Sequence, residues 1–208
     1  MDLDDDVHGA VDSRQTPNPA PDNDGLVRVV RRAARAILID SRGRLVVFRR
    51  TLPGQQPYWA TVGGGVDQQD ASVEAALHRE LAEELGAAVD RVQQVFLTST
   101  TKTSTAKHRG GSGGAGGGGG CGPGITVQHF FVCRLTSMDL AARTGDEFTN
   151  PTKGRYDVER IDLHGEDLTR FALQPDALKD FILANREALL AAVADPTADP
   201  TADPPARR

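Results

Sequence analysis

Cysteine is nearly absent from this 208-residue chain: Cys121 and Cys133 are the whole supply, and they stand at no metal-ligand spacing. Two such residues build no disulfide framework, so a reduced, cytoplasmic setting is the expectation. Long apolar runs are missing as well. None approaches the roughly 20 residues that span a bilayer, and the opening Met-Asp-Leu-Asp-Asp-Asp reverses a signal peptide's basic start. Excess positive charge is the third absence. Lys and Arg number 24 against 29 Asp and Glu, a formal charge of −5 with no basic stripe, which argues against binding duplex nucleic acid. Anionic substrates stay open, because metal ions reverse the local sign of a site.

The length suits one domain with appendages. Residues 1–26 form an expected disordered tail, since the first 25 hold seven Asp and three Pro with almost no large apolar side chain. Residues 194–208 repeat Ala-Asp-Pro-Thr and are expected to be a second disordered tail. Between them, 27–193 is the expected folded domain, interrupted by a glycine-rich insertion over 106–124. Residues 110–124 carry 11 of the chain's 22 glycines. They read as a flexible loop rather than a phosphate cradle, which sets individual glycines between a strand and a helix.

Within the domain, Arg35 to Asp40 and Leu45 to Arg50 read as strands joined by the turn Ser41-Arg42-Gly43. Tyr58 to Val62 is a short strand running into Gly63-Gly64-Gly65. Ser72 to Leu85 reads as a helix with Val73, Ala76, Leu77, Leu81 and Leu85 as its apolar stripe, ended by Gly86 at C′. Val92 to Thr98, Ile125 to Leu135 and Tyr156 to Leu163 read as strands, and Pro175 to Val193 as one closing helix. Many strands and two main helices predict an α+β fold with a mixed sheet.

One stretch defies ordinary helix design. Glu80, Glu83 and Glu84 stand at i, i+3 and i+4, so they share a helical face, where each like-charge contact costs roughly 0.2–0.5 kcal/mol. Acids near a helix's C-terminal end also oppose its dipole. Hard carboxylate oxygens suit Mg²⁺ or Mn²⁺, and a bound cation would turn the repulsion into attraction.

A strand, three glycines and a helix carrying Arg79-Glu80-Leu81-Ala82-Glu83-Glu84-Leu85-Gly86-Ala87 resemble the Nudix hydrolase family. Residues 79–87 match the second half of that family's signature box in full. The first half departs from it. Five residues lead from Gly64 to Asp70, where the family has Glu, and eight rather than seven then precede Arg79. Asp70 has two readings: an N-cap worth about 1 kcal/mol, or a share in positioning the site. The resemblance covers about 27–192 and implies a Nudix fold, a mixed sheet sandwiched between α-helices.

It also implies function. A Mg²⁺-dependent hydrolase, with Mn²⁺ as substitute, would cleave a diphosphate linkage in a nucleotide, nucleotide sugar or dinucleotide. Glu80, Glu83 and Glu84 would ligate the metal, with the carbonyl of Gly63 or Gly64 completing the set. Glu80 or an acid outside the box would be the base, and Arg79 would orient a neighbouring glutamate. Arg49 and Arg50 end a strand and point to opposite faces, so at most one reaches substrate. Glu147, Asp157 and Glu159 compete as an additional acid. His78 reads as a surface residue, and Tyr58 and Trp59 as strand packing. The expected partner is a small diphosphate substrate, with neither membrane nor duplex nucleic acid, and a homodimer is left open. On a metal site, Glu84→Gln should abolish turnover and leave metal-free stability unchanged or slightly improved, whereas on a solvated face it should change neither activity nor the response to Mg²⁺.

Two other functions compete. A Nudix-fold binding or regulatory module would sense a nucleotide without cleaving it, but such modules commonly lose box glutamates that this chain keeps. An isomerase of isoprenoid diphosphates would need a catalytic cysteine, for which Cys121 and Cys133 are poorly placed.

Overall fold

The computed structural model describes residues 29–102, 124–145 and 154–194. The N-terminal tail, all of the C-terminal tail but Ala194, all of the glycine-rich insertion but Gly124, and Glu147 lie outside these residues. Among those described, no helix is long and apolar enough to cross a membrane.

Alternating apolar side chains make both central strands two-faced. In β1 (Val29–Ile39) and β2 (Arg44–Thr51), Ala34, Ala36, Leu38, Val46 and Phe48 point to one side. Ile37, Ile39, Leu45 and Val47 point to the other. Each face needs a cover. The first receives α1 (Val73–Leu85) through Ala76, Leu77, Leu81 and Leu85. The second receives α2 (Asp176–Ala184) and α3 (Arg186–Val193) through Leu178, Ile182, Leu189 and Val193. Each fully buried leucine contributes roughly 1.5–3 kcal/mol, so the two clusters together hold the sandwich.

The remaining strands are β3 (Tyr58–Ala60), β4 (Ala87–Lys102), β5 (Gly124–Met138), β6 (Arg155–Asp162) and β7 (Leu173–Gln174). The sheet order is β4-β5-β1-β2-β3-β7, with β6 also paired to β2. Parallel β1–β5 and antiparallel β1–β2 pairs make it mixed, as expected.

Several elements differ from the sequence reading, β1 among them, which begins at Val29 rather than Arg35 because β5 pairs with it from there. β4 begins at Ala87 rather than Val92, because β5 offers it partners from Ala87↔Met138 onward. β3 stops at Ala60, and Val62 instead bridges to Ala36. The closing helix is two helices. The Asn185 side-chain amide donates to the Phe181 carbonyl at 2.8 Å, competing there with its own backbone N–H, which makes the last ladder bond at 3.1 Å.

Gly86 ends α1 in the left-handed region, with φ 56°, and its N–H donates to the Ala82 carbonyl. A Cβ there would lie 2.1 Å from the Asp139 carbonyl oxygen. Gly86→Ala therefore combines backbone strain with a clash against main chain and is expected to cost about 2 kcal/mol or more. Urea unfolding measures it; an unchanged midpoint would contradict this packing.

Candidate active site

β1 pairs with β2 only through Leu38 and Ile39. Its N-terminal half turns to the segment after β3: Ala36 N–H donates to Val62 O and Ala34 N–H to Gly64 O, both at 2.9 Å. The glycine loop is thus laid along β1, directly against α1. Gly63 (φ 125°) is the fixed point. Its N–H donates to Glu84 Oε2 at 2.7 Å. Its carbonyl accepts from the Arg35 guanidinium, which also reaches the Thr61 carbonyl at 3.4 Å. A Cβ at Gly63 would stand 2.2 Å from the Ala34 carbonyl oxygen, so no other residue fits. Gly64 meets α1 itself, since a Cβ there would lie 2.4 Å from the Glu80 carboxylate.

Arg79 ties loop to helix. Its Nε and terminal NH2 grip both oxygens of Asp70 at 3.0 and 2.9 Å, and the same NH2 reaches the Gly65 carbonyl at 2.9 Å. Its other terminal nitrogen donates to Glu80 Oε1 (2.9 Å) and Glu83 Oε2 (3.2 Å). The two readings of Asp70 are thereby separated. Ser72 is the N-cap, its Oγ accepting from Ala75 N–H at 3.0 Å, and Asp70 is the bidentate partner of Arg79. The extra residue before Arg79 leaves room for both.

The charges are strained by burial. Desolvation raises the Glu80 carboxyl above its ordinary value despite Arg79. Burial likewise lowers the Arg35 guanidinium, opposed by the Glu84 and Glu80 charges. The Arg79 guanidinium is raised, first by its hydrogen bonds to Asp70. Those bonds, and the Asp67 N–H, hold Asp70 below the usual carboxylate range. A depressed carboxylate contributes stability above its unfolded value and loses it as pH falls through the folded one. The clamp is therefore complete at neutral pH and opens only in acid, below the ordinary aspartate range. Asp70→Asn should leave the N-cap intact, lower melting by a few degrees, and reduce turnover about 10- to 100-fold by freeing Arg79. Unchanged turnover in steady-state kinetics would show that the clamp serves stability alone.

A pocket of about 650 Å³ opens where β1 splays from β2. Arg31, Arg35 and Gln128 line one side; Phe48, Arg50, Tyr58 and Tyr156 line the other; Gly63 and Glu84 join it to the carboxylate cluster. Arg50 donates to the Tyr58 hydroxyl at 2.7 Å and lies 5.1 Å from the Tyr156 ring centroid. Tyr58 thus faces the pocket, contrary to the packing role read from sequence. Its neighbour Trp59 does pack, edge-on to Phe171 at 4.9 Å.

Strand alternation separates the other candidates. Arg49 stands opposite Trp59 in the β2–β3 register and does not line the pocket. Glu159 accepts from Trp59 Nε1 at 2.6 Å and sits 3.9 Å from Arg49. Asp157 accepts from Arg155 at 2.8 Å. Neither acid joins the Arg79 cluster. His78 is exposed, with Glu74 3.9 Å away, as expected. Cys133 is buried in the core beneath α1, its thiol pushed up to about 12 by burial, which disqualifies it as a nucleophile.

Glu80, Glu83 and Glu84 supply an all-oxygen donor set of the kind hard cations take. Among the described residues, no three acidic, His or Cys side chains surround one point as they stand. The cause is local: Arg79 holds Glu80 and Glu83, and Gly63 N–H holds Glu84. The donors fit a divalent cation in kind, and the burial penalty on Glu80 is one that a cation would relieve.

The NUDIX domain model matches residues 29–167. The chain belongs to the NUDIX family. Among solved structures, the NUDIX domain of Shewanella oneidensis NrtR complexed with ADP ribose aligns at TM-score 0.50 and 15% identity, covering 78% of this chain and 90% of that one. A MutT NUDIX hydrolase from Burkholderia pseudomallei aligns at TM-score 0.43 and 18% identity, covering 64% and 84%. The E. coli ORF135 protein gives 0.43 and 19%, covering 83% and 96%. At these identities the likeness concerns the NUDIX fold. No curated protein matches the chain.

Arg79 to Leu85 form the C-terminal half of α1 against the glycine loop, with Gly86 as its cap and Ala87 opening β4. Arg35 and Tyr156 escaped the sequence reading. A usable signal existed for Arg35, a lone charge in the apolar strand Ala33–Ile39. Tyr156 carried none, because only the β2–β6 register brings it opposite Arg50.

Proposed function

We propose that this NUDIX protein is a Mg²⁺-dependent hydrolase of a diphosphate linkage in a nucleotide, nucleotide sugar or dinucleotide. The observation that carries the reading is the junction of two halves. A carboxylate cluster with NUDIX-box spacing meets, through Glu84 and Gly63, a pocket lined by three arginines and two tyrosines.

Glu80, Glu83 and Glu84 would hold the cation; the Gly64 carbonyl, with one lone pair engaged by Ala34, has a second to offer. Bound there, Mg²⁺ supplies neutralisation of phosphate charge and a water of lowered pKa. The chain's own residues do the rest. Glu80, whose carboxylate would lie 2.4 Å from a Cβ at Gly64 and so faces the glycine loop, is read as the base. Arg79, anchored by Asp70, holds Glu80 and Glu83 at one guanidinium nitrogen and so fixes their approach. Arg50, braced on Tyr58 and Tyr156, presents N–H groups to substrate phosphate or to acceptors on a ring stacked in the pocket. Arg49 has no such access, which leaves Arg50 as the substrate ligand of the pair.

Screening the purified protein with Mg²⁺ against nucleoside triphosphates, nucleotide sugars and dinucleotides in ¹⁸O-water tests the reading. One phosphate product should carry the label. Tight binding of a panel member without any labelled product would favour the non-hydrolytic module instead.

A further inference from the structure

Arg35 is an expensive residue to place in β1. Its guanidinium is desolvated, and the charges of Glu84 and Glu80 offset only part of that cost. Its hydrogen-bond acceptors are the main-chain carbonyls of Gly63 and Thr61, so its net positive charge is matched through space by the carboxylates of the cation site. Glu84 completes the circuit by accepting from Gly63 N–H. One peptide segment is thus held by Arg35 on its carbonyl side and by Glu84 on its amide side. Arg35 also lines the pocket. A second cation, Arg31, stands beside Gly65, where a Cβ would come within 3.3 Å of its NH2, and pushes against the Arg35 charge.

We infer that Arg35 is a phosphate ligand held in reserve. Without metal it rests on the Gly63 carbonyl as counter-charge to Glu84; when a divalent cation neutralises the carboxylates, Arg35 leaves Gly63 for the pocket and binds a phosphate of the substrate. This rests on the hydrolase reading above. Two positive charges competing for the same carboxylates repel one another, so Arg35 weakens cation binding until an anion arrives to accept it. Cation and diphosphate binding are then coupled, each favouring the other.

The test needs no turnover. Mn²⁺ binding to the full chain, read by the paramagnetic resonance of free Mn²⁺, should tighten about fivefold or more in Arg35→Gln. Arg35→Lys, which keeps the charge, should stay near wild type. In wild type, the Arg35 Nε–H nuclear resonance should shift on saturation with Mg²⁺ and again on adding methylenediphosphonate, a diphosphate that is not hydrolysed. Methylenediphosphonate should bind Mg²⁺-loaded Arg35→Gln about tenfold more weakly than wild type.

Unchanged or weaker Mn²⁺ binding in Arg35→Gln would overturn the inference, as would an Arg35 resonance unmoved by Mg²⁺; the second needs only wild type if the variant does not fold. Equal methylenediphosphonate affinity would remove the phosphate role. Should wild type turn over diphosphates while Arg35→Gln binds Mn²⁺ like wild type, Arg35 fails alone and the hydrolase stands. Should wild type bind no divalent cation, both fall.

Discussion

Glu84→Gln is expected to abolish turnover and also to destabilise the protein in metal-free buffer by about 1–3 kcal/mol. The second half reverses the expectation of unchanged or slightly improved metal-free stability. Glu84 is only 9% exposed, binds Gly63 N–H at 2.7 Å, and balances the desolvated Arg35. A glutamine oxygen can keep the Gly63 bond, but the Arg35 charge then loses its largest favourable charge partner. The relief of repulsion from Glu80 and Glu83, a few tenths of a kcal/mol, is smaller than that loss. Urea unfolding in EDTA reads the stability, and Mg²⁺ thermal shift reads the lost ligand. An active variant of unchanged stability would return Glu84 to ordinary surface charge.

Gly64→Ala should separate activity from stability. A Cβ at Gly64 would sit 2.4 Å from the Glu80 carboxylate, which is the far end of a flexible side chain. Glu80 can therefore swing aside, and the fold should lose less than about 1 kcal/mol. If Glu80 is the base and metal ligand proposed above, the same movement should reduce kcat by two orders of magnitude or more, on the order of the 10²-fold cost of a 1 Å misplacement. Normal circular dichroism and melting with kcat near wild type would show that Glu80 does not work from this position.

The legible parts of the chain were those governed by local rules. Apolar spacing gave α1 and its stripe, and Gly86 marked its end, because both depend on a few neighbouring residues. The acidic face was equally legible, since i, i+3 and i+4 spacing fixes it without knowledge of the fold. Burial of Glu84 was not, because it depends on where the glycine loop lies, and that is decided by Ala34 and Ala36 of β1. Position alone leaves Asp70 open between an N-cap and a share in positioning the site; the bidentate grip of Arg79, nine residues on, decides between them. Alternation showed that Arg49 and Arg50 part ways, but the choice of Arg50 for the pocket required the register of β2 with β3 and β6. Asn185 broke the last helix through a side-chain competition that apolar periodicity does not register.

The central claim is that Glu80, Glu83 and Glu84 gather a divalent cation for hydrolysis of a diphosphate. Its most direct test is the rate of product formation from the best panel substrate in Mg²⁺, in excess EDTA, and after re-addition of Mn²⁺. The account predicts loss of turnover in EDTA and its return with Mn²⁺. Full turnover in EDTA would contradict it.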